Sequence, residues 1–397
     1  MSSEALSPAA TSLEDPRPNL GLTWDHPRGY QALDAAARLL NVRATTLLWE
    51  RQPLEGFESH PIGELASRYD LLVLDHPHIG EAVALDCLVP LEAFFSSEQI
   101  AAWSQHTIGH AMASYAWQGQ HWALPLDVAT QVMALRRDLV DGAAPQSWPD
   151  VVNLSKEKPV ALSVAGPHIF LCLMSIAVAT GEEPGTGDLF LSDDTFVAAL
   201  ALLEELYHRS PDWTLRLNPI GLLEAMSTRD DLALVPLVYG YVNYTRPLPD
   251  RRPVAFTEAP AGALSGRRGS ILGGTGIAIT RRARPDRALL DHLAWLMSAE
   301  VQRGFIPLHG GQPSHREAWS DTAANRNSGQ FYASTFATTE QAFVRPRFDG
   351  YIAFQNKAAD VLRTALSERT AHARVIGDLR RIWRAAQHQH VNNGRTK

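Results

Sequence analysis

YDLLVLDHPHIG, residues 69–80, holds an unbroken apolar run, Leu71 to Leu74, with an aspartate on either side and a proline at 77. A run with no polar alternation has no side to show to water, so it suits a strand buried on both faces of a sheet. The Asp-His-Pro that follows is turn chemistry, an aspartate folding back on its own backbone ahead of a residue that cannot continue a strand ladder. Working outward toward the N-terminus, LGLTW (20–24), ALDAAARLL (32–40) and ATTLLWE (44–50) read as strand, helix and strand. The alternation predicts an α/β architecture.

Toward the C-terminus, a polar helical region around 96–116 precedes YAWQGQHWALPLDVATQVMALRRDLV (115–140), which reads as a tight turn at Gln118-Gly119, a strand and a second strand. Trp148-Pro149-Asp150 opens a short helix with proline in its first turn. Ser192 caps a helix over 193–209 whose first turn is acidic and whose last turn is basic, both favourable to its dipole. A helix around 219–228, a strand in DLALVPLVYGY (231–241), a glycine-interrupted strand in GSILGGTGIAIT (269–280) and helical stretches at 284–306 and 354–388 follow.

The chain has 397 residues, 45% hydrophobic and 20% charged, which is globular composition with room for two lobes and no signature of disorder. A net charge of −7 supplies no basic field for a phosphate backbone, so no nucleic-acid partner is expected. Only four of the 36 basic residues are lysine (156, 158, 357 and 397), a codon-usage bias rather than a site. The longest apolar stretch, 170–179, is too short to span a bilayer, so no membrane insertion is expected. The first 19 residues, MSSEALSPAATSLEDPRPN, lack the basic start and apolar run of a secretory signal and read as a flexible leader. As written, the chain is expected in the cytoplasm, or in the periplasm or outside the cell if its start lies elsewhere or this is the mature form. Cys87 and Cys172 form no CxxC and read as two buried thiols rather than a disulfide or zinc pair.

Asp25-His26-Pro27 and Asp75-His76-Pro77 repeat one tripeptide where two strands end. Ligands of open sheets gather beyond the carboxyl ends of strands, so two carboxylates and two imidazoles can converge on one crevice. Three readings stand: turn chemistry alone, contact with a ligand, or acid–base catalysis. His76 with His78, and His106 with His110 four apart on a helical stretch, lack a third ligand, so no metal is expected. GGTGIA (273–278) lacks phosphate-cradle spacing and GxSxG is absent, so no cofactor and no hydrolase nucleophile are assigned. Trp24, Trp49, Trp122, Tyr239 and Tyr241 sit near strand ends, where flat rings can pack on the carbon skeleton of a sugar or instead fill the core. Tyr239 and Tyr241 share a strand face by period two.

Several segments, taken in order, resemble the extracellular solute-binding proteins of ABC importers, the group that contains maltose-binding protein. YDLLVLDHPHIG is similar to the family's strand and cleft loop, and QGQHWALPLDVATQVMALRRDLV to its Gly-Lys-x-Tyr-Gly-Leu-Pro strand. SWPDV (147–151) is similar to its Thr-Trp-Asp-Glu helix start, and STRDDLALVPLVYGY (227–241) to the strand that ends in cleft aromatics. GSILGGTGIAIT, LAWLMSAEVQRGF (293–305) and HGGQPSHREAW (309–319) resemble its closing unit, a Ser-x-Glu-x-Gln helix end before a Gly-x-x-Pro turn.

The resemblance implies a two-lobed periplasmic-binding-protein-like fold of type II. Each lobe would be a mixed sheet flanked by helices, with hinge closure on a solute. The implied lobes are 20–126 with 272–310, and 127–271 with 311–388, leaving a leader at 1–19 and a tail at 389–397. Crossings are implied near Leu126-Asp127, Leu272 and Gly310. Ligand-binding residues are then Asp25, His26, Arg28, Asp75, His76, Asp127, Tyr239, Tyr241 and Gly274. The implied function is binding of a small polar solute (sugar, polyol or hydroxy acid) by an ABC-importer-type receptor, with a permease as partner if the chain is exported. The rival reading is a cytoplasmic enzyme in which Asp25-His26 and Asp75-His76 move protons in elimination, isomerisation or hydrolysis.

Overall fold

A computed structural model describes residues 17–42, 45–185 and 189–395. Of the expected leader, residues 1–16 lie outside this range. In chain order come β1 (Asn19–Trp24), α1 (Pro27–Asn41), β2 (Leu47–Gln52), β3 (Leu71–Leu74) and β4 (Leu88–Val89). They are followed by α2 (Ser97–His106), the short strands β5 (Ala116–Trp117) and β6 (Gln120–His121), and the long β7 (Leu124–Leu135). The middle of the chain supplies α3 (Trp148–Leu154), α4 (His168–Thr180), α5 (Asp193–Arg209), α6 (Pro219–Thr228), β8 (Leu234–Tyr239) and β9 (Ala255–Thr257). The last long elements are β10 (Leu272–Thr280), α7 (Arg287–Leu296), α8 (Tyr351–Glu368) and α9 (His372–Arg395).

One sheet path, β2-β1-β3-β10-β7-β8, organises the molecule. β1 runs parallel to both β2 and β3, whereas β10 joins β3 antiparallel and β7 joins β10 antiparallel, so the architecture is mixed α/β. The apolar run of β3 has the cause read from its sequence. Leu71 and Val73 enter one core and Leu72 and Leu74 another, so neither face sees water. α1 forms where apolar residues recur every three or four positions, buries Ala32, Leu33, Ala36 and Leu40, and starts at Pro27 under a histidine cap.

β7 is the element both lobes share. All twelve of its residues are buried; Leu124 to Thr130 face β10, and Gln131 to Leu135 face β8 and β9. Beyond the tight turn two strands were expected. The structure gives two, the two-residue β6 and the long β7, which stays continuous because its second half finds a new partner where the first runs out. The turn itself has positive φ at Gln118 (52°) and Gly119 (78°), the geometry that matches strand twist in a short hairpin. The glycine interruption of β10 coincides with a register shift between Thr275 and Gly276, opposite Pro125, which has no N–H to give the ladder. Pro236 has the same effect in β8, whose pairing shifts between Val132 and Ala134.

A third segment lies beside these strands. Val128 N donates to Gln312 O (2.8 Å), Gln312 Nε2 returns a bond to Val128 O (2.8 Å), and Asp127 bridges Pro313. The Ser-x-Glu-x-Gln string explains how this segment is held, since Gln302 Oε1 accepts from Ser314 N (2.7 Å) and its Nε2 donates to Leu296 O (2.7 Å). The helical stretch expected at 284–306 is broken after α7 and resumes as a π-helical turn, Val301–Phe305, which turns Gln302 inward.

The second core lies among α3, α4, α5, α8 and α9. α4 is buried almost all round, which accounts for the longest apolar stretch, and no helix among the described residues is long and apolar enough to cross a membrane. α2 stops at His106 and Thr107 is extended, so His110 does not share a helix face with His106 as the four-residue spacing predicted. α9 continues to Arg395, through the stretch expected as a tail. Both thiols are free; Cys172 is buried and Cys87 partly exposed.

Gly80 sits where two distant segments approach closely. A Cβ there would meet the Arg347 carbonyl group and stand 2.8 Å from the carbonyl carbon of Phe348. Because the obstacle is backbone, Gly80→Ala is expected to destabilise the fold by about 1–3 kcal/mol, read from the midpoint of chemical denaturation.

Candidate functional site

β1 delivers its C-terminal residues to the centre of the molecule. His26 caps α1, its Nδ1 accepting from Arg28 N (3.1 Å), and its ring stacks on Trp24 at 5.2 Å and meets Tyr241 edge-on at 4.9 Å. Burial first, and the nearby Arg28 charge second, push the His26 pKa down to about 3. Capping and burial together hold the ring neutral.

Arg28 turns back beneath this aromatic cluster. Its Nε lies 3.0 Å from both oxygens of Asp127, Nη2 also donates to Oδ1, and Nη1 donates to Gly240 O (3.2 Å). The guanidinium stands 4.5 Å from the Tyr241 ring centroid and 5.4 Å from that of Trp24. Asp127 is completed by Gln312 N (3.1 Å), and both partners are about 5% exposed. A charge taken this far from water needs a partner with its remaining valences filled, and each finds them here.

The end of β3 builds a second ionic cluster. Asp75 accepts from His76 N (2.8 Å), lies 3.0 Å from His76 Nδ1, and pairs with Arg345 Nη2. Arg345 Nη1 also donates to Gln355 on α8 (3.1 Å) and Nη2 to Leu272 O (3.4 Å). Burial by itself would raise the Asp75 pKa, but Arg345 and then His76 outweigh it and hold the carboxyl below the usual carboxylate range. His76 is pushed down to about 4 by burial, which Asp75 offsets only in part.

Between the two clusters lies a cavity open to solvent. Trp24 and Arg28 line it from the β1 side, Asp75 from β3, Gly274 from β10, and Tyr239 and Tyr241 from the end of β8. His168 at the start of α4 meets Tyr239 edge-on at 5.9 Å. Gly273 is what lets Tyr239 lie flat on β10, since a Cβ there would come within 2.6 Å of the ring. Apolar walls with a few fixed polar groups are what a small-molecule site requires.

The predicted residues divide by position. Arg28, Asp75, Tyr239, Tyr241 and Gly274 reach the cavity; Asp127 stands behind Arg28, and His76 beside Asp75. His26 packs against Trp24 and Tyr241. The Asp25 side chain is 61% exposed and 3.9 Å from Arg51, so Asp25 and His26 do not form the acid–base pair of the rival reading. Trp49 packs on Gly21 and Trp122 is buried, its Nε1 donating to Trp117 O (3.0 Å). Sequence reasoning missed Arg345, His168, Gln355 and Phe57. Arg345 sits in VRPRF (344–348), a stretch with no helical or strand period, and only its Pro346 hinted at a fixed turn. Among the described residues no three His, Cys, Asp or Glu side chains gather as a metal site.

A family model described as "Bacterial extracellular solute-binding protein" matches residues 63–318. A search of the curated proteins found no match. Among solved structures, a maltose-bound protein of T. maritima superposes with a TM-score of 0.77 at 14% identity, covering 92% of this chain and 98% of its own. An ABC transporter solute-binding protein of Agrobacterium radiobacter in complex with ribitol gives 0.76 at 18% identity, covering 94% and 99%. One from Agrobacterium vitis with bound D-mannitol gives 0.72 at 14%, covering 94% and 98%. These likenesses establish the two-lobed fold.

Two outcomes are expected of the ionic and aromatic clusters. Asp127→Asn leaves Arg28 buried without its counter-charge and is expected to cost about 3–5 kcal/mol in chemical denaturation, while Arg28→Met with Asp127→Leu recovers much of the loss. His26 is neutral in the folded chain down to about pH 3 and protonates near pH 6.5 when unfolded, so the unfolded state takes up its proton first. Its contribution to stability is therefore full above about pH 6.5 and is lost as the pH falls, by up to about 1.4 kcal/mol per pH unit. His26→Phe is expected to lower stability at neutral pH by about 1 kcal/mol through the lost cap, yet to flatten the pH dependence of unfolding between about pH 6.5 and pH 4.

Proposed function

Because the chain belongs to the bacterial extracellular solute-binding protein family, we propose that it is the receptor of an ABC importer and encloses a small polar solute, a sugar, polyol or hydroxy acid, without altering it. The observation that carries this reading is the cavity wall itself. Tyr239, Tyr241 and Trp24 supply flat apolar surface, while Asp75, Arg28 and Arg345 supply ionic groups already held in place by neighbours. Rings pack on the carbon skeleton of a polyhydroxylated ligand and fixed polar groups set its orientation. The ligands named for the similar structures, maltose, ribitol and D-mannitol, are of this class.

In this reading Asp75, Arg28, Tyr239, Tyr241 and the Gly274 backbone touch the solute. Asp127, His26 and His76 support them, and Asp25, exposed beside Arg51, takes no part. The lobes are residues 20–126 with 272–310 and 127–271 with 311–388. They hinge where β7, β10 and the segment through Gln312 lie side by side. In this reading a permease facing the outer side of the cytoplasmic membrane is the partner, and the family's extracellular character supports a place outside the cytoplasm.

Titration calorimetry of the purified protein with ribitol, D-mannitol and maltose is expected to give one site per chain for at least one of them, with the compound recovered unchanged. Tyr239→Ala is expected to weaken that binding at least about tenfold, equivalent to about 1.4 kcal/mol, because the ring lies on Gly273 at the cavity. Turnover of the solute beyond one equivalent, or heat unchanged by the Tyr239 substitution, overturns the reading.

A further inference from the structure

The last helix runs against the charge of the rest of the chain. Residues 369–397 hold six arginines and one lysine against a single acid, Asp378, a surplus of six that leaves residues 1–368 at −13. Within α9 the two chemistries are sorted by face. Val375, Ile376, Leu379, Trp383 and Ala386 enter the second core. Arg374, Arg381 and His388 recur at intervals of seven with Arg384 beside them, so they form one row on the opposite side, about 21 Å long. All four are exposed.

The rest of the described chain does not cover this row. A Cβ added at Gly377, in its middle, meets no atom within 4 Å. Arg374 and Arg384 have no ion pair among the described residues, and the single acid of the helix, Asp378, is held by Arg381 (2.9 Å). The acids that neighbouring α5 brings to the helix are used at its flank, Asp193 by Arg380 (2.6 Å) and Glu204 by His372 (2.9 Å). The row therefore keeps its positive charge.

A row of guanidiniums along a helix fits a plane of phosphates, since each can give two N–H groups to phosphate oxygens. The apolar side of the helix is committed to the core, so the attraction is electrostatic and nothing enters the hydrocarbon. The negative charge of residues 1–368 turns the other faces away from such a surface and leaves this helix as the point of contact. We infer that the exposed face of α9 docks the protein on an anionic phospholipid surface. The choice of lipid over nucleic acid rests on the receptor reading above, which places the chain outside the cytoplasm and beside membrane headgroups. The test needs no solute, so its failure leaves the receptor reading standing.

The purified protein is to be sedimented with vesicles of phosphatidylglycerol and phosphatidylcholine in equal parts, and with vesicles of phosphatidylcholine alone. Binding to the mixed vesicles is expected to be at least about tenfold tighter than to the neutral ones, and to fall at least about tenfold between about 0.05 M and about 0.5 M salt. Arg374→Glu with Arg384→Glu is expected to weaken it at least about tenfold, while Arg374→Lys with Arg384→Lys keeps it within a few-fold. Arg246→Glu, at an exposed position away from the helix, is expected to leave it within a few-fold as well. Where the glutamate variant fails to fold, Arg374→Gln with Arg384→Gln is expected to weaken binding at least about threefold. Equal affinity for the two kinds of vesicle, or binding unchanged in the charge-removing variants, overturns the inference. So does retention of the protein by duplex DNA without binding to the mixed vesicles, which assigns the row to nucleic acid.

Discussion

A guanidinium carried out of water beside a carboxylate is the constraint around which the centre of this molecule is arranged. Arg28 comes from the first turn of α1, Asp127 from the strand that both lobes share, and Gln312 from the third segment beside it. Neither charge tolerates being left alone at this depth, so the helix, the shared strand and the returning segment must sit where they do for either to be satisfied. Trp24 and Tyr241 then close over the guanidinium and form the wall of the cavity. The ionic centre thus reaches the site through Arg28, with Asp127 behind it.

How much of this was legible in the sequence depended on whether the signal was local. β1, α1 and β3 announce themselves through apolar spacing, and the two Asp-His-Pro tripeptides mark the strand ends that reach the centre. The tripeptides nonetheless diverge in use. At residue 75 the carboxylate faces inward against His76 and Arg345, whereas at residue 25 it faces solvent and only the histidine is kept. Identical triplets cannot encode that difference, because it is set by what packs opposite. Arg345 was illegible for the same reason: its significance lies in a partner 270 positions away in the chain. The break after α7, which turns Gln302 toward Ser314, likewise exists to serve a distant backbone group.

Two glycines show the same logic at the level of backbone. Gly274 adopts φ 103°, a conformation costly for side-chain-bearing residues, and a Cβ there would meet the carbonyl of Asp127. Gly273 leaves the surface on which Tyr239 rests. What read as a weakness in a strand is therefore the place where β10 both approaches β7 and yields room to a ring, one residue for each task.

The shared strand has a consequence for how the molecule comes apart. β7 gives its first half to one set of partners and its second half to another within one continuous strand. Fraying of either lobe strips hydrogen-bond partners from a strand whose every side chain is buried in the other's company, so local opening on one side is transmitted along twelve residues of backbone to the other. The amides of β7 should accordingly be among the last to exchange with solvent. The two halves of the chain would then be born, and lost, as a single cooperative unit rather than as two beads on a string.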